Sequence, residues 1–205
     1  MAAELMTGEY SSSNMSKHTS GNPLQRMLLD RFHHSASRLL RRVTPAPQRI
    51  LDAGCGEGFA MQVVFGFTNA ALVGLDGSAG ALQVASTLNP ARRFTAGDLL
   101  DLPFPDRSFD LVVCMEVLEH LDDPARGLAE LCRVSADWLL LSVPNEPLFR
   151  GANFLRGKNV AAWGNDPGHV NHWSSGHFKR FINKQCRVIT LQTSFPWTLA
   201  LCRIA

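Results

Sequence analysis

Apolar residues in the central part of the chain form short continuous runs, and the segments between these runs show helical spacing. The runs predict buried strands at Arg49–Ala53, Ala71–Leu75, Arg93–Ala96, Phe109–Cys114 and Trp138–Val143. The spacing between them predicts helices over Gly58–Phe67, Ser78–Leu88, Val117–His120 and Pro124–Val134. Strands that alternate with helices form βαβ units, so the pattern predicts a parallel sheet with helices on both faces.

The segments before and after this alternating region differ from it in composition and in periodicity. Residues 1–21 lack periodicity and predict a mobile N-terminal arm, whereas residues 22–43 predict a helix that Pro45 and Pro47 follow. Residues 145–173 are rich in Gly, Asn, Pro and aromatic side chains. They predict an insertion next to the alternating core.

The C-terminal part of the chain predicts a helix and an edge of the sheet. Ser174–Asn183 form the candidate helix, and Val188–Leu191 and Trp197–Cys202 form two closing strands on either side of Pro196. With the five strands of the core, these give seven. We therefore expect one α/β domain over residues 22–205, with a core at 48–144. Its doubly wound seven-stranded sheet is mostly parallel, with an antiparallel C-terminal strand.

Length and composition are those of an ordinary globular protein of 205 residues. The longest apolar runs are strand-sized and fall far short of the roughly 20 residues of a membrane helix. The first ten residues contain Glu4 and Glu9 and no basic region, which disfavours a secretory leader. Five cysteines without paired spacing predict thiols in a reducing compartment. We expect a cytoplasmic protein without a membrane partner.

Charge is distributed unevenly along the chain. Residues 49–145 hold thirteen acidic and six basic side chains, and residues 146–205 hold two acidic and eight basic ones. An acidic middle is a poor surface for a phosphate backbone, so we expect no nucleic-acid partner. The basic C-terminal part attracts an anionic small substrate or is a solvated face, and both interpretations stay open.

A strand that runs directly into a glycine turn is the most informative segment. Residues Asp52–Gly58 have the sequence Asp-Ala-Gly-Cys-Gly-Glu-Gly, and glycines in such a turn bring bare backbone against a ligand. A dinucleotide site favours Gly-x-Gly-x-x-Gly facing a pyrophosphate, but here the third glycine comes one residue early. The turn also carries two acids, Asp52 and Glu57, which repel a pyrophosphate and attract a cation. The turn therefore favours a cationic nucleoside over a nicotinamide dinucleotide.

Several motifs in the same order resemble the class I S-adenosylmethionine-dependent methyltransferases, small-molecule enzymes with a Rossmann-like fold. The glycine turn resembles the first motif of that family. The further matches, which with it span about residues 48–145, are Leu75-Asp76-Gly77-Ser78, Gly97-Asp98-Leu99, Leu102–Asp110 and Val117-Leu118-Glu119-His120-Leu121. The resemblance implies S-adenosylmethionine as the cofactor and methyl transfer as the reaction.

The resemblance also implies roles for individual residues. The backbone of Gly54–Gly56 passes under the methionine part of the cofactor, and Asp52 lies near its ammonium group. Asp76 accepts from both ribose hydroxyls, and Asp98 and Leu99 hold the adenine. The cofactor-binding set implied in this way is Asp52, Gly54, Cys55, Gly56, Asp76, Gly77, Ser78, Asp98, Leu99, Met115, Glu116 and His120.

Glu116, Glu119 and His120 place two carboxylates and an imidazole on neighbouring helical positions. The run resembles one in ubiquinone-pathway O-methyltransferases, where it is interpreted as a magnesium site. Magnesium prefers oxygen ligands, and relatives share the run without an implied metal. The sequence therefore favours a hydrogen-bonded structural role for Glu119 and His120, and we expect no metal.

The acceptor side is expected in the insertion and just after it. His169 and His172 are the candidate catalytic bases, since an imidazole titrates near neutral pH and suits an oxygen acceptor. The alternative is that one of them packs against Trp173 and caps the following helix. The aromatic and basic side chains there fit either a planar, anionic small-molecule acceptor or a minor core under a loop. They are Phe149, Phe154, Trp163, Trp173, Arg150, Arg156 and Lys158.

Other functions and assemblies stay open at this stage. A nucleic-acid methyltransferase usually has Asn/Asp-Pro-Pro-Tyr/Phe after the fourth strand, where this chain has Cys114-Met115-Glu116-Val117. A non-catalytic S-adenosylmethionine-binding protein keeps the glycine turn and lacks a working acceptor pocket. The chain is expected as a monomer or homodimer. The resemblance to small-molecule methyltransferases also implies that the N-terminal segment folds over the cofactor as a lid.

Overall fold

A computed structural model of the chain describes residues 12–155 and 168–204. Seven strands form one sheet in the order β3-β2-β1-β4-β5-β7-β6. Strands β1 to β5 pair in parallel, and β7 runs antiparallel to both of its neighbours. The strands are β1 Arg49–Ala53, β2 Ala71–Asp76, β3 Arg93–Ala96, β4 Phe109–Met115, β5 Ser135–Pro144, β6 Arg187–Ser194 and β7 Trp197–Arg203. The expected fold class is confirmed.

Helices cover both faces of this sheet. They are α1 Ser13–His18, α2 Pro23–Leu40, α3 Met61–Phe65, α4 Ala79–Leu88, α5 Pro124–Val134, α6 Glu146–Leu155 and α7 Ser175–Ile182, with a 3₁₀ turn at Leu118–His120. Successive residues of β1 serve opposite faces: Ile50 packs with the cluster that holds α2 and α3, whereas Leu51 packs with the cluster that holds α5 and α7. A strand buried on both faces explains the continuous apolar runs of the sequence.

Several element bounds shift by a few residues and the helix predicted at Val117–His120 is a 3₁₀ turn, but the main differences from the sequence prediction concern three helices. Helix α3 begins at Met61 and not at Gly58, because Gly58 has a φ of +71° that a right-handed helix does not allow. Residues 146–155 form α6, although their sequence shows no clear periodicity. Residues 13–18, within the segment expected as a mobile arm, form α1, and Ser12 caps this helix by accepting from the N–H of Met15.

The topology places one crevice at the carboxyl ends of the strands. Chain order reverses where β1 lies between β2 and β4, and ligands of open parallel sheets bind at such a point. The glycine turn follows β1, Asp76 ends β2, and Met115 ends β4. Within the part of the chain that the structure describes, no helix combines the length and the apolar character needed to cross a bilayer.

Candidate active site

The glycine turn after β1 is held in a shape that only glycine adopts freely. Gly54, Gly56 and Gly58 all have positive φ angles, of 79°, 53° and 71°. The N–H groups of Gly54 and Cys55 both donate to the carbonyl of Leu75, at 2.7 and 2.9 Å. A Cβ atom on Gly54 would collide with the side chain of Val117. The turn therefore presents bare main chain to the crevice.

Asp76 is anchored by main-chain donors on both of its carboxylate oxygens. Gly56 N–H donates to Oδ2 and Ser78 N–H donates to Oδ1, each at 2.8 Å. A carboxylate has about four acceptor positions, so two of them stay available for vicinal hydroxyl groups. The side chain is thus fixed in place before any ligand arrives.

Asp52 is a second carboxyl group at the same end of the sheet, and it is 4% exposed. Burial, and after it the negative charge of Asp76, raise the pKa of Asp52 to about 7. A cation next to this carboxyl group lowers the cost of ionising it. The crevice is therefore built to favour a positively charged ligand.

These groups line a cleft of about 340 Å³. It brings together most of the cofactor-binding residues that the sequence implied: Asp52, Gly54, Cys55, Gly56, Asp76, Ser78, Met115, Glu116 and His120. Three of the implied residues, Gly77, Asp98 and Leu99, are not in its lining. Asp98 is exposed and accepts from the N–H of Leu100, and Leu99 is buried in the core between β-sheet and α5.

The N-terminal segment closes one side of this cleft, and its contacts were not identified from the sequence. Ser12 and Asn14 both donate to the carboxylate of Glu57, a turn residue that is 1% exposed. His18 stacks on one side against His33, with ring centroids 5.4 Å apart, and on the other against Phe59, at 4.8 Å. The contacts join residues distant in sequence, so no local spacing indicates them.

His33 is a buried histidine of α2 in the cleft lining. Burial, followed by the charges of His18 and His34, lowers the pKa of His33 to about 4. Its ring is therefore neutral at physiological pH, which is the form that stacks on a second imidazole without repulsion.

The predicted acceptor-side histidines meet at one carboxylate that the sequence analysis missed, Glu146. His169 Nδ1 lies 2.9 Å from Glu146 Oε1, and His172 Nδ1 lies 3.4 Å from the same oxygen. Burial raises the pKa of Glu146, but hydrogen bonds from both imidazoles outweigh this effect and hold the pKa below its usual value. His169 is buried and the side chain of His172 is 40% exposed.

Neither His169 nor His172 lines the cleft, but His120 does. The rings of His120 and His169 meet edge to face with centroids 5.1 Å apart, so His169 is in contact with a residue of the cleft lining. Trp173 packs on Phe178 and Phe181, in agreement with the minor-core interpretation of that side chain. Arg156, Lys158 and Trp163, expected at the acceptor, lie outside the described residues.

Glu116, the first residue after the end of β4, has an unusual backbone conformation. Its φ is +60°, which is uncommon for a residue with a side chain. Its carboxylate accepts from the hydroxyl of Ser142 at 2.9 Å, and its N–H donates to the carbonyl of the same residue. The turn that carries Glu119 and His120 is therefore tied to β5.

Comparison with known proteins agrees with this geometry. Residues 51–137 match the family described as "Methyltransferase domain". A probable S-adenosylmethionine-dependent methyltransferase of Mycolicibacterium smegmatis is 34% identical over 106 residues, which are 51% of this chain and 41% of that protein. The demethylmenaquinone methyltransferase of Renibacterium salmoninarum is 39% identical over 90 residues, 43% of this chain and 37% of that protein. The chain thus spans about two fifths of the length of these curated relatives.

Solved structures extend the likeness of fold to the whole chain. The magnesium protoporphyrin IX methyltransferase of Synechocystis, solved with bound S-adenosylhomocysteine, superimposes with a TM-score of 0.70 at 16% identity. The match covers 100% of this chain and 93% of that one.

The sheet order is that of a Rossmann-like fold, and the glycine turn and the acidic cleft suit a positively charged nucleoside ligand. Residues 51–137 are similar to the methyltransferase domains of S-adenosylmethionine-dependent enzymes. The predicted resemblance to this family is confirmed for residues 51–137.

Proposed function

We propose that the protein transfers a methyl group from S-adenosylmethionine to a small-molecule acceptor, at an oxygen atom. The observation that carries the proposal is the cleft in which anchored Asp76 and buried Asp52 surround the bare backbone of Gly54–Gly56. Two carboxyl groups beside exposed main chain suit a ligand that carries a ribose, an ammonium and a sulfonium group.

Each residue of the cleft would hold one part of that cofactor. Asp76 would accept from the ribose hydroxyls, Asp52 would face the ammonium group, and the backbone at Met115 and Glu116 would close the methionine end. The adenine would lie toward Gly77, Asp98 and Leu99, beyond the cleft lining. When bound, the cofactor supplies a methyl group from its sulfonium, and the electron pair of the broken C–S bond stays on sulfur.

On the acceptor side, we propose His172 as the base and His169 as the residue that orders its surroundings. The side chain of His172 is partly exposed, so its ring is accessible, and the carboxylate of Glu146 holds both imidazoles through their Nδ1 atoms. The acceptor O–H proton would pass to His172 as the oxygen bonds to the methyl carbon, so that charge and protons balance. In-line alignment of that oxygen would be the main contribution of the protein to the rate.

The setting of the reaction is part of the same proposal. All five cysteines lie in the described residues and are free thiols, which supports a reducing cytoplasmic location. The acidic cleft supports a small molecule over a nucleic acid as the acceptor. We propose a monomer or homodimer as the working state.

Calorimetric titration with S-adenosylhomocysteine tests the cofactor, and a labelled-methyl assay tests the acceptor. The assay offers phenols, carboxylates, thiols, amines, RNA and DNA in parallel. We expect cofactor binding by the wild type, weakened in Asp76→Ala, and label on an oxygen acceptor. Absence of cofactor binding would overturn the activity, and label on nucleic acid alone would replace the acceptor class. Cofactor binding without transfer to any acceptor would favour a non-catalytic binding protein.

A further inference from the structure

The structure brings three metal-ligating side chains together at the wall of the cleft, from two separate segments. Glu119 and His120 lie in the 3₁₀ turn after β4, and His169 lies shortly before α7. Their ligand atoms all lie within 4.8 Å of one another, and Glu119 Oε1 is 4.0 Å from His120 Nε2. Small movements of these side chains would bring all three onto one ion.

We propose that Glu119, His120 and His169 bind a divalent transition-metal ion of the zinc type. This inference goes beyond the sequence expectation, which considered only neighbouring residues of the turn and favoured no metal. The residue that alters the donor set is His169, which comes from the segment just before α7.

Both imidazoles are oriented by a partner on the ring nitrogen that the metal does not need. His120 Nδ1 lies 2.6 Å from the carbonyl oxygen of Gly168, and His169 Nδ1 lies 2.9 Å from Glu146 Oε1. With Nδ1 engaged, Nε2 is the ring nitrogen that each imidazole would turn toward an ion. Metal-bound histidines in proteins almost always have such a second partner, which fixes the tautomer and the ring orientation.

The two segments that supply the ligands are fastened to each other through the main chain. The N–H groups of Val170 and Asn171 both donate to the carbonyl of Glu119, each at 3.0 Å. The side-chain amide of Asn171 donates to the carbonyls of Leu118 and Leu121, at 3.3 and 2.6 Å. The positions of the ligands are therefore set by the fold and do not depend on the ion to assemble them.

The donor set and its burial indicate which ion fits. Two imidazoles and one carboxylate suit zinc and its transition-metal neighbours, whereas magnesium prefers oxygen ligands only. Glu119 and His169 are buried, but the side chain of His120 is 44% exposed and lines the cleft. Three protein ligands with an open side toward a cleft are typical of a catalytic zinc site.

The role of this ion rests on the proposed function. An acceptor oxygen bound at the open position would be held beside the methyl donor, and its proton would be lost more easily to His172. The metal would therefore select acceptors with a hydroxyl or carboxylate oxygen.

Direct metal titration tests the site without any activity measurement. Purified full-length protein is stripped with a chelator and titrated with Zn²⁺ in competition with a chromogenic indicator. His120→Ala and His169→Ala remove one ligand each, and His177→Ala removes an exposed histidine of α7 as the matched control. Circular dichroism confirms that each variant is folded. The side chain of His120 is 44% exposed, so its replacement disturbs the core less than that of buried His169. The His120→Ala variant therefore keeps the test decisive even if His169→Ala unfolds.

We expect one equivalent of Zn²⁺ in the wild type and in His177→Ala, with affinity at least a hundredfold weaker in the other two variants. Co²⁺ in place of Zn²⁺ should give visible absorption that His120→Ala abolishes. No binding by the wild type, or equal affinity in all four proteins, would overturn the proposal. Titration with S-adenosylhomocysteine runs in parallel: cofactor binding without zinc binding defeats the metal site alone, and zinc binding without cofactor binding defeats the proposed function alone.

Discussion

The main-chain N–H of Gly56 donates to Oδ2 of Asp76 over 2.8 Å, which joins the glycine turn after β1 to the end of β2. Ser78 N–H holds the other oxygen at the same distance. The carboxylate proposed to hold the ribose is therefore also a brace for the turn that passes under the methionine part. Cofactor affinity and the shape of this turn are coupled through one side chain.

Replacing Asp76 by Ala should weaken cofactor binding by about 1–3 kcal/mol, because charged hydrogen bonds to the ribose are lost together with the brace. Calorimetry with S-adenosylhomocysteine measures the change. Asp30→Ala, which removes an exposed carboxylate of α2, is the control and should leave the affinity unaltered. An Asp76→Ala protein with the affinity of the wild type would show that the ribose is held elsewhere.

Gly54→Ala should abolish cofactor binding and lower the free energy of unfolding by about 1–3 kcal/mol. Its φ of +79° strains any residue with a side chain, and the new Cβ would meet the side chain of Val117. Combining it with Val117→Ala removes the collision but not the strain, so the double variant should recover part of the stability. Urea unfolding and calorimetry check both effects.

The control for this substitution is Gly176→Ala in α7, where a Cβ meets nothing within 4 Å. Alanine is favoured over glycine in a helix, so this variant should be as stable as the wild type or up to about 1 kcal/mol more stable. Equal destabilisation by both alanines would contradict a special role for the turn.

Local sequence was sufficient to predict the bounds of those helices and strands that depend only on their own residues. The bounds of β1, β3 and α5 match their predictions, because apolar runs and, at α5, the cap by Asp123 before Pro124 are local features. Helix α6 was missed, since Pro147 and Gly151 interrupt its pattern. What holds its first turn is a long-range contact between Glu146 and His169.

The site also contains residues that local motifs predict and residues that only long-range contacts bring together. Asp52 and Asp76 follow from short motifs at strand ends, and the cleft contains both. Leu99, which the motif places at the adenine, is 7% exposed and packs with the core, so its role there stays a prediction. The contacts of Glu57 with the N-terminal segment and the cluster of side chains around His169 join segments far apart in sequence, so only the folded chain reveals them.

Glu57 should control how fast the cofactor leaves the cleft. Ser12 and Asn14 attach the N-terminal segment to its carboxylate, and this segment covers the cleft. We expect the double variant Ser12→Ala/Asn14→Ala to raise the dissociation rate of S-adenosylhomocysteine roughly tenfold, as measured by stopped-flow fluorescence. Ser16→Ala and Thr19→Ala, on the exposed side of the same segment, are controls. An unaltered rate would show that the segment does not act as a lid.

Cofactor binding should release a proton from Asp52 near pH 7. In the free protein burial and Asp76 raise the pKa of Asp52 to about 7, so the group is about half protonated there. An ammonium group beside it favours the ionised form, so affinity should rise as the pH increases from 6 to 8. Calorimetry in buffers with different ionisation enthalpies counts the released protons. Asp52→Asn should release none from this site, and the same proton count in both proteins would contradict the assignment.

The buried ring of His33 should make the protein less stable in mild acid. In the folded protein the pKa of His33 is lowered to about 4, whereas an unfolded histidine has a pKa near 6.5, so the unfolded chain takes up the proton first. The stabilisation is complete above pH 6.5 and is lost as the pH falls from 6.5 toward 4. The linkage amounts to about 3 kcal/mol at most.

Replacing His33 by Phe keeps an aromatic ring against His18 but removes the titrating group. Urea unfolding of His33→Phe between pH 7 and pH 4.5 should therefore show a much smaller loss of stability than the wild type. His177→Ala, which removes an exposed histidine of α7, should keep the wild-type slope. If His33→Phe loses stability as steeply as the wild type, another group is responsible for the acid sensitivity. If the stability of His33→Phe does not change with pH, the acid sensitivity of the wild type comes from His33. Protonation of His33 would then weaken its stacking with His18 of the N-terminal segment, which lines the cofactor cleft.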